Sequence, residues 1–264
     1  MPADNKARWE IVYDDLRRQI DQHKLAAGDQ VPGELQLAEL HDVSRDTVRN
    51  ALRRLQQEGL VTEGKGRLGR TVREWKPLVY RPQSEFRKKP PTVDIFTNLL
   101  AQEGREGTQT IEVDVVLPDE LIRQRLQLNE NEPVAVRRRT SYVDGRPYAT
   151  DDSYVAHRIV EGSEWMLPAS IERGTNQVLA ELGHKLVEAL DEIYPRMPRR
   201  PEVERLSLPT GTPIAELIST AHDEDGQPIQ VTVCLLPGDR HVIVYERRRV
   251  EESTEEATAE EAAE

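Results

Sequence analysis

An α+β chain in two parts is what this sequence predicts: a winged helix-turn-helix head over residues 1–75 and a larger mixed unit over residues 91–250. Three observations carry the prediction. The stretch from Val43 to Thr62 has the apolar spacing of one amphipathic helix, a glycine-rich basic hairpin follows it, and the second half of the chain repeats its own pattern of strands and turns.

In the helix, Ser44 stands as the N-cap, Gly59 as a left-handed terminator, and Val48, Ala51, Leu52 and Leu55 fall on one narrow stripe. The opposite side is polar. Arg45 and Arg49 lie one turn apart, as do Asp46 and Asn50, with Arg53 and Arg54 behind them and Thr47 near the start. A helix held along a thin seam, with Arg, Asn and Thr facing solvent near its N-terminus, fits a DNA major groove. There Arg reads guanine O6 and N7, and Asn reads adenine N6 and N7. An ordinary solvated helix face carries similar residues, so the flanking segments decide.

Upstream, Trp9, Val12, Leu16 and Ile20 share one face of a helix running from Ala7 to about Lys24. Gly28 and Asp29 break the chain, and Pro32-Gly33-Glu34 opens a second short helix with Leu35, Ala38 and Leu40 as its apolar positions. His41-Asp42-Val43 then turns it into the amphipathic helix, which makes a helix-turn-helix. Downstream, residues 60–62 and 71–73 are strand candidates around residues 64–70. Lys65, Gly66 and Arg67 form the tip of this wing, able to follow phosphates or enter the minor groove. A nucleotide-cradling loop would need Gly-Lys-Ser/Thr opening a helix, and no such run follows.

The formal net charge of −12 argues against a nucleic-acid partner only if charge is evenly spread, and it is not. Residues 44–73 hold eight Lys/Arg against three acids, whereas residues 250–264 hold seven Glu and no base. The local patch sets phosphate affinity. The tail over 251–264 reads as disordered, either solubilising or shielding the basic face. The sequence predicts no membrane partner and a cytoplasmic location: no apolar run is long enough for a span and no signal pattern opens the chain. Cys234 is the one cysteine, which excludes a disulfide framework.

With these residues assembled, Trp9 to Val72 resembles the winged helix-turn-helix of the GntR repressors. The resemblance rests on Gly28-Asp-Gln-Val-Pro32, Glu34, Leu37-Ala38, Val43-Ser-Arg-Asp-Thr-Val-Arg49, Ala51-Leu52, Leu55, and Glu58-Gly-Leu-Val61 followed by the glycine wing. It implies that Arg45, Thr47, Arg49 and Gly66 touch DNA. Many relatives carry Arg directly after the Glu34 position, where this chain has Leu35, so half-site sequence does not carry over.

Residues 76–90 read as an extended proline-rich linker. Beyond it, Leu126-Gln-Leu128, Pro133, an alternating run and Asp144-Gly-Arg-Pro147 are answered by Leu206-Ser-Leu208, Pro213, an alternating run and Asp225-Gly-Gln-Pro228. Each unit predicts strand, short helix, strand, Asp-Gly turn, strand. Residues 113–117 and 193–194 lead in, 134–143, 148–155, 214–222 and 229–236 form the hairpins, 241–245 adds a strand, and 175–183 is a helix between the halves. Duplicated units packed together leave a cleft where they meet.

This second half resembles the UTRA domain of the HutC subfamily, which implies a chorismate lyase-like fold that binds a small-molecule effector. The family's paired arginines before the first turn fall on Arg139, which is kept, and Ser141, which is not. Its acids fall on Asp151 and Gln230, and its Tyr-Arg-Gly-Asp-Arg-Tyr run is reduced to Leu236-Pro-Gly-Asp-Arg240-His241. The resemblance therefore assigns Arg139, Ser141, Asp151, Gln230, Arg240 and His241 to the effector site with a thinned anion grip, and strand alternation adds Arg137 beside Arg139.

No catalytic or metal constellation is legible. The six histidines have no ligand spacing, Cys234 sits in an apolar strand, and no serine is flanked as a nucleophile elbow. The expected function is a transcriptional regulator, a repressor, without cofactor. It binds double-stranded DNA at an inverted-repeat operator as a homodimer and responds to an effector. The competing readings are a regulator whose cleft is empty or controlled by a protein, and a lyase-type enzyme domain fused to a DNA-binding head.

Overall fold

The structure, a computed structural model, describes residues 7–62, 64, 69–74, 77–82, 100 and 106–246. The expected wing tip of Lys65, Gly66 and Arg67, most of the expected linker and the acidic tail lie outside the described residues.

The head consists of helices α1 (Arg8–Asp21), α2 (Glu34–His41) and α3 (Arg45–Gln57) around one apolar core. The stripe of α3 supplies Val48, Ala51, Leu52 and Leu55, all buried, against Val12 and Leu16 of α1. Both ends of α3 are closed as its sequence dictates. Ser44 Oγ accepts the Thr47 N–H at 3.2 Å, satisfying one orphan donor. At the far end Gly59 takes φ +75°, which lets the Leu60 N–H reach Leu55 O at 2.9 Å.

Helix α2 differs from its expected phase. Leu37 and Ala38 face the core, while Leu35 and Leu40 are exposed at 55% and 67%. Eight residues are too few for periodicity to fix which face turns inward, and the phase is instead set by the turn. There Asp42 takes φ 50° and the Val43 N–H closes on Ala38 O at 3.0 Å. The wing base forms through single bridges, Val61 to Val72 and Gln30 to Thr71, reinforced by the Thr62 N–H to Thr71 O at 2.9 Å.

The second unit is a six-stranded antiparallel sheet. Its first repeat comprises β2 (Gly107–Val116), α4 (Glu120–Arg125), β3 (Val134–Val143) and β4 (Arg146–Ala156). Helix α5 (His157–Val160), a 3₁₀ turn (Glu164–Met166) and α6 (Thr175–Glu181) intervene. The second repeat comprises β5 (Leu186–Arg196), α7 (Arg200–Leu206), β6 (Ile214–Asp223) and β7 (Pro228–Pro237). The strand order β2-β3-β4-β7-β6-β5 joins the two repeats through β4 and β7, so one repeat is the rotated image of the other. The first hairpin turns through Asp144 and Gly145 with φ 50° and 72°, as a two-residue loop requires. The second turn is longer and closes by the Asp223 N–H on Gln227 O at 3.0 Å, so that Asp225 stands 12 positions after Pro213 where Asp144 stands 11 after Pro133.

The central strands match their expected spans closely, but the edge strands β2 and β5 run well beyond the expected 113–117 and 193–194. Their alternation carries charged residues such as Glu112, Glu188 and Asp191, as suits edges exposed on one side. The expected linker also holds a strand: β1 (Leu78–Tyr80) pairs in parallel with β8 (His241–Ile243). No local pattern marks a three-residue pair formed across the length of a domain.

Helices α4 and α7, with the residues directly after them, cover one face of the sheet, through Ile122, Leu126 and Leu128 on Ile218 and Val231, and through Leu206 and Leu208 on Ile214 and Leu235. Among the described residues the other face has two main covers, besides Leu78 and Leu100 packed on Val143 and Tyr148 at the first hairpin. Val160, Trp165, Val178 and Leu179 lie over Ala135 and Val155, and Tyr80 and Ile243 lie over Leu217, Cys234 and Leu236.

Candidate functional site

The N-terminal half of α3 is presented to solvent. Ser44, Arg45, Asp46, Arg49, Asn50 and Arg53 are exposed and Thr47 is half-buried. Their contacts lie within the head. Thr47 Oγ1 meets Ser44 Oγ at 2.8 Å, Arg53 Nη1 donates to Asn50 Oδ1 at 2.9 Å, and Arg49 donates through Nη1 to Asp46 at 3.1 Å. Glu34 of α2 organises this face. It accepts Arg49 Nε at 2.8 Å and Arg70 Nη1, from the wing base, at 3.3 Å. Burial raises the Glu34 pKa, but the hydrogen bonds and charges of Arg49 and Arg70 outweigh it and hold the carboxyl below the usual glutamate range. In the sequence Glu34 stands only as one residue of the head motif. Nothing in the spacing shows that one carboxylate spans two helices and the wing.

Between the two covers of the sheet lies a polar band. Alternation along β3 puts Arg137, Arg139 and Ser141 on this face, and the register sets Arg139 opposite Asp151 and Asp151 opposite Cys234. Arg139 Nη2 pairs with Asp151 Oδ1 at 3.3 Å, both partly exposed. Cys234 Sγ donates to Asp151 Oδ2 at 3.6 Å, and Ser153 Oγ meets Thr232 Oγ1 at 3.1 Å. Gln230 is buried beside them, its Nε2 on Thr232 Oγ1 at 3.2 Å. A cavity of about 300 Å³ adjoins this band, lined by Gln109, Ile111, Pro168 and Ala169. Gln109 and Ile111 stand opposite Ser141 and Arg139. Ser153 and Thr232 are members of the band that the sequence did not reveal, because only the cross-strand register brings them in.

Three expected effector residues are held elsewhere. The Arg137 guanidinium is buried against the 165–169 segment and donates to the carbonyls of Trp165, Leu167 and Ala169. Burial, with the charge of Arg139 adding to it, lowers its pKa to about 10. It supports the cover and does not join Arg139 at the surface. Arg240 donates to the carbonyls of Pro147 and Leu206, and burial lowers its pKa as well. His241 packs against Tyr148 with ring centroids 4.1 Å apart and planes tilted by 40°, and its Nδ1 lies 3.0 Å from Pro237 O. These two fasten β8 to the first hairpin, and the structure does not bring them to the Arg139–Asp151 pair.

Among the described residues no group of His, Cys, Asp and Glu is arranged to hold a metal, and no helix is long and apolar enough to cross a membrane.

The sequence over residues 101–242 matches the UTRA domain, and residues 9–67 match the bacterial regulatory proteins of the gntR family. This chain belongs to the GntR family. An HTH-type transcriptional regulator of Rhizobium meliloti is 30% identical, over 89% of this chain and 92% of the relative. The repressor MngR of the mannosyl-D-glycerate transport and metabolism system of Escherichia coli is 24% identical, over 84% and 88%. A crystal structure of a GntR-family transcriptional regulator shares the fold, with a TM-score of 0.65 and 21% identity over 93% of this chain and 99% of that one. The GntR-family chain is thus a DNA-binding transcriptional regulator with an effector-binding domain, and the lyase-type enzyme reading falls: its relatives are regulators.

Proposed function

We propose that this regulator is a repressor that binds an inverted-repeat operator as a homodimer and is controlled by a small polar molecule in the cleft. The observation that carries the reading is the state of α3. One face is locked into the head core, while Arg45, Thr47, Arg49 and Asn50 at its N-terminal end are not covered by the second unit. In the groove, Arg45 and Arg49 read guanine edges and Asn50 an adenine edge. Ser44, Thr47 and Arg53 hold phosphates, Asp46 orients Arg49, and Lys65, Gly66 and Arg67 of the wing follow the backbone. Two copies on a two-fold axis place two such helices in successive grooves, which is what an inverted repeat demands.

In the cleft Arg139, Asp151, Ser141 and Gln230 contact the effector. With one guanidinium already paired to a carboxylate and its second family position a serine, the site favours a ligand offering both donors and acceptors over a strongly charged anion. A molecule that binds one head arrangement better than the other shifts DNA affinity by its differential affinity.

Selection of duplexes from a random library by the full-length protein tests the reading. The expected product is an inverted repeat bound by two chains per duplex, and a single unrepeated site bound by one chain would contradict it.

A further inference from the structure

Among the described residues, the head touches the second unit at a turn. Residues 207–213 join α7 to β6, and Gly211 at the apex has φ +78°. A Cβ added there would lie 2.0 Å from the carbonyl oxygen of Gln57, the last residue of α3, so backbone rests on backbone. Arg73, from the wing base, grips the same turn. Its Nη1 donates to Thr212 Oγ1 at 2.9 Å and its Nη2 to Thr210 O at 3.2 Å. Thr212 is itself buried, and burial holds the Arg73 pKa below the usual arginine range.

The duplication supplies an internal control. Leu206-Ser-Leu-Pro-Thr-Gly-Thr-Pro213 corresponds to Leu126-Gln-Leu-Asn-Glu-Asn-Glu-Pro133, and both turns have the same left-handed positions. Ser207 at φ 47° matches Gln127 at 52°, and Gly211 at 78° matches Asn131 at 64°. Asparagine therefore satisfies the backbone at this point in the first repeat. In the second repeat the glycine answers the head pressing on the turn, not the turn itself.

The turn also connects to the cleft. It begins at the end of α7, and Arg205 of α7 donates to the Arg139 carbonyl at 3.1 Å and to both oxygens of Asp152 at 2.8 Å. It thus holds, from the opposite face of the sheet, the backbone that presents the Arg139–Asp151 pair.

We propose that the 207–213 turn is the seat that fixes the direction of the recognition helix, with Arg73 and Gly211 as its positioning residues, and that α7 carries the state of the cleft to it. The proposal rests on the homodimer reading above in one respect: two heads fixed at a set angle select one half-site spacing, whereas heads on free tethers accept several.

The test uses full-length protein, duplexes with the selected half-sites at varied spacing, and amide hydrogen exchange. Gly211→Asn preserves a left-handed turn that the first repeat already accommodates, but places a side chain against Gln57. The wild type is expected to prefer one spacing by about tenfold or more, and Gly211→Asn to lose most of that preference. The variant should also exchange faster at residues 56–60 with the melting of the second unit unchanged. Arg205→Lys should speed exchange at residues 208–212. Unchanged spacing preference and unchanged exchange in Gly211→Asn overturn the seat, and unchanged exchange in Arg205→Lys overturns the link to the cleft. A wild type indifferent to spacing counts against the homodimer reading alone, and exchange at residues 56–60 then still decides the seat.

Discussion

Arg125 and Arg205 occupy equivalent places in the two repeats, and each crosses to the strands of the other. Arg125 donates to Thr220 Oγ1 at 3.1 Å and pairs with Glu192, while Arg205 donates to Thr140 Oγ1 at 3.0 Å and holds Asp152. Thr140 and Thr220 are themselves equivalent. Each repeat thus completes the polar interior of its partner, and the sheet is expected to unfold as one unit. Arg205→Met strands the half-buried Asp152 carboxylate and should cost about 3 kcal/mol. Arg125→Met, which leaves the more exposed Glu192, should cost about 1 kcal/mol. Urea titration followed by circular dichroism checks both, and separate transitions for the two repeats would refute the interlock.

Glu34 ties Arg49 to the wing base, so its loss should separate two kinds of DNA affinity. Glu34→Gln weakens the hold on both guanidinium groups and removes a negative charge from the face that meets phosphates. Affinity for the selected operator should fall about tenfold, while affinity for random duplex stays level or rises. A parallel fall in both, accompanied by a lower melting temperature, would mean that Glu34 only supports the fold.

In the cleft, Arg139→Gln and Asp151→Asn leave the strands paired and remove the charges. A thermal-shift screen of sugars, amino acids and organic acids on the wild type should return a stabilising compound, by roughly 2–3 kcal/mol at a hundredfold excess over its Kd. Either variant should abolish that shift. Stabilisation retained in both would place the effector elsewhere.

His241 gives the fold a pH dependence whose sign is fixed. Burial lowers its pKa to about 4, below the ordinary 6.5, so between these values the unfolded chain takes a proton that the folded one refuses. Stability from this group is complete above about pH 6.5 and declines as pH falls towards 4, by roughly 3 kcal/mol in all. His241→Phe keeps the ring against Tyr148 and cannot titrate. Its melting temperature should therefore fall less steeply over that range than that of the wild type.

Much of this architecture was legible because it is local. Ser44, Gly59 and the stripe between them define α3 without reference to anything else, and the Asp144-Gly145 turn sets the first hairpin. What escaped is what depends on distant partners. Leu35 and Leu40 read as apolar positions of α2 and yet face solvent, because the helix is too short to declare its own phase. Leu78 pairs with His241, a contact that three residues on each side cannot announce. Arg137 lies on the same strand face as Arg139 and was expected to share its task, yet its three carbonyl acceptors come from a segment with no periodic pattern. The Arg125 and Arg205 echo was present in the sequence, but that each serves the opposite repeat follows only from the strand order.

Operator recognition turns on the solvent-facing end of α3 meeting base edges, and a titration of Arg49→Ala against the selected operator tests this most directly. Anisotropy at fixed salt should show specific affinity reduced by about 1–3 kcal/mol, with discrimination lost at the guanine that Arg49 reads and random-duplex binding little changed. Operator affinity and base preference equal to those of the wild type would contradict it.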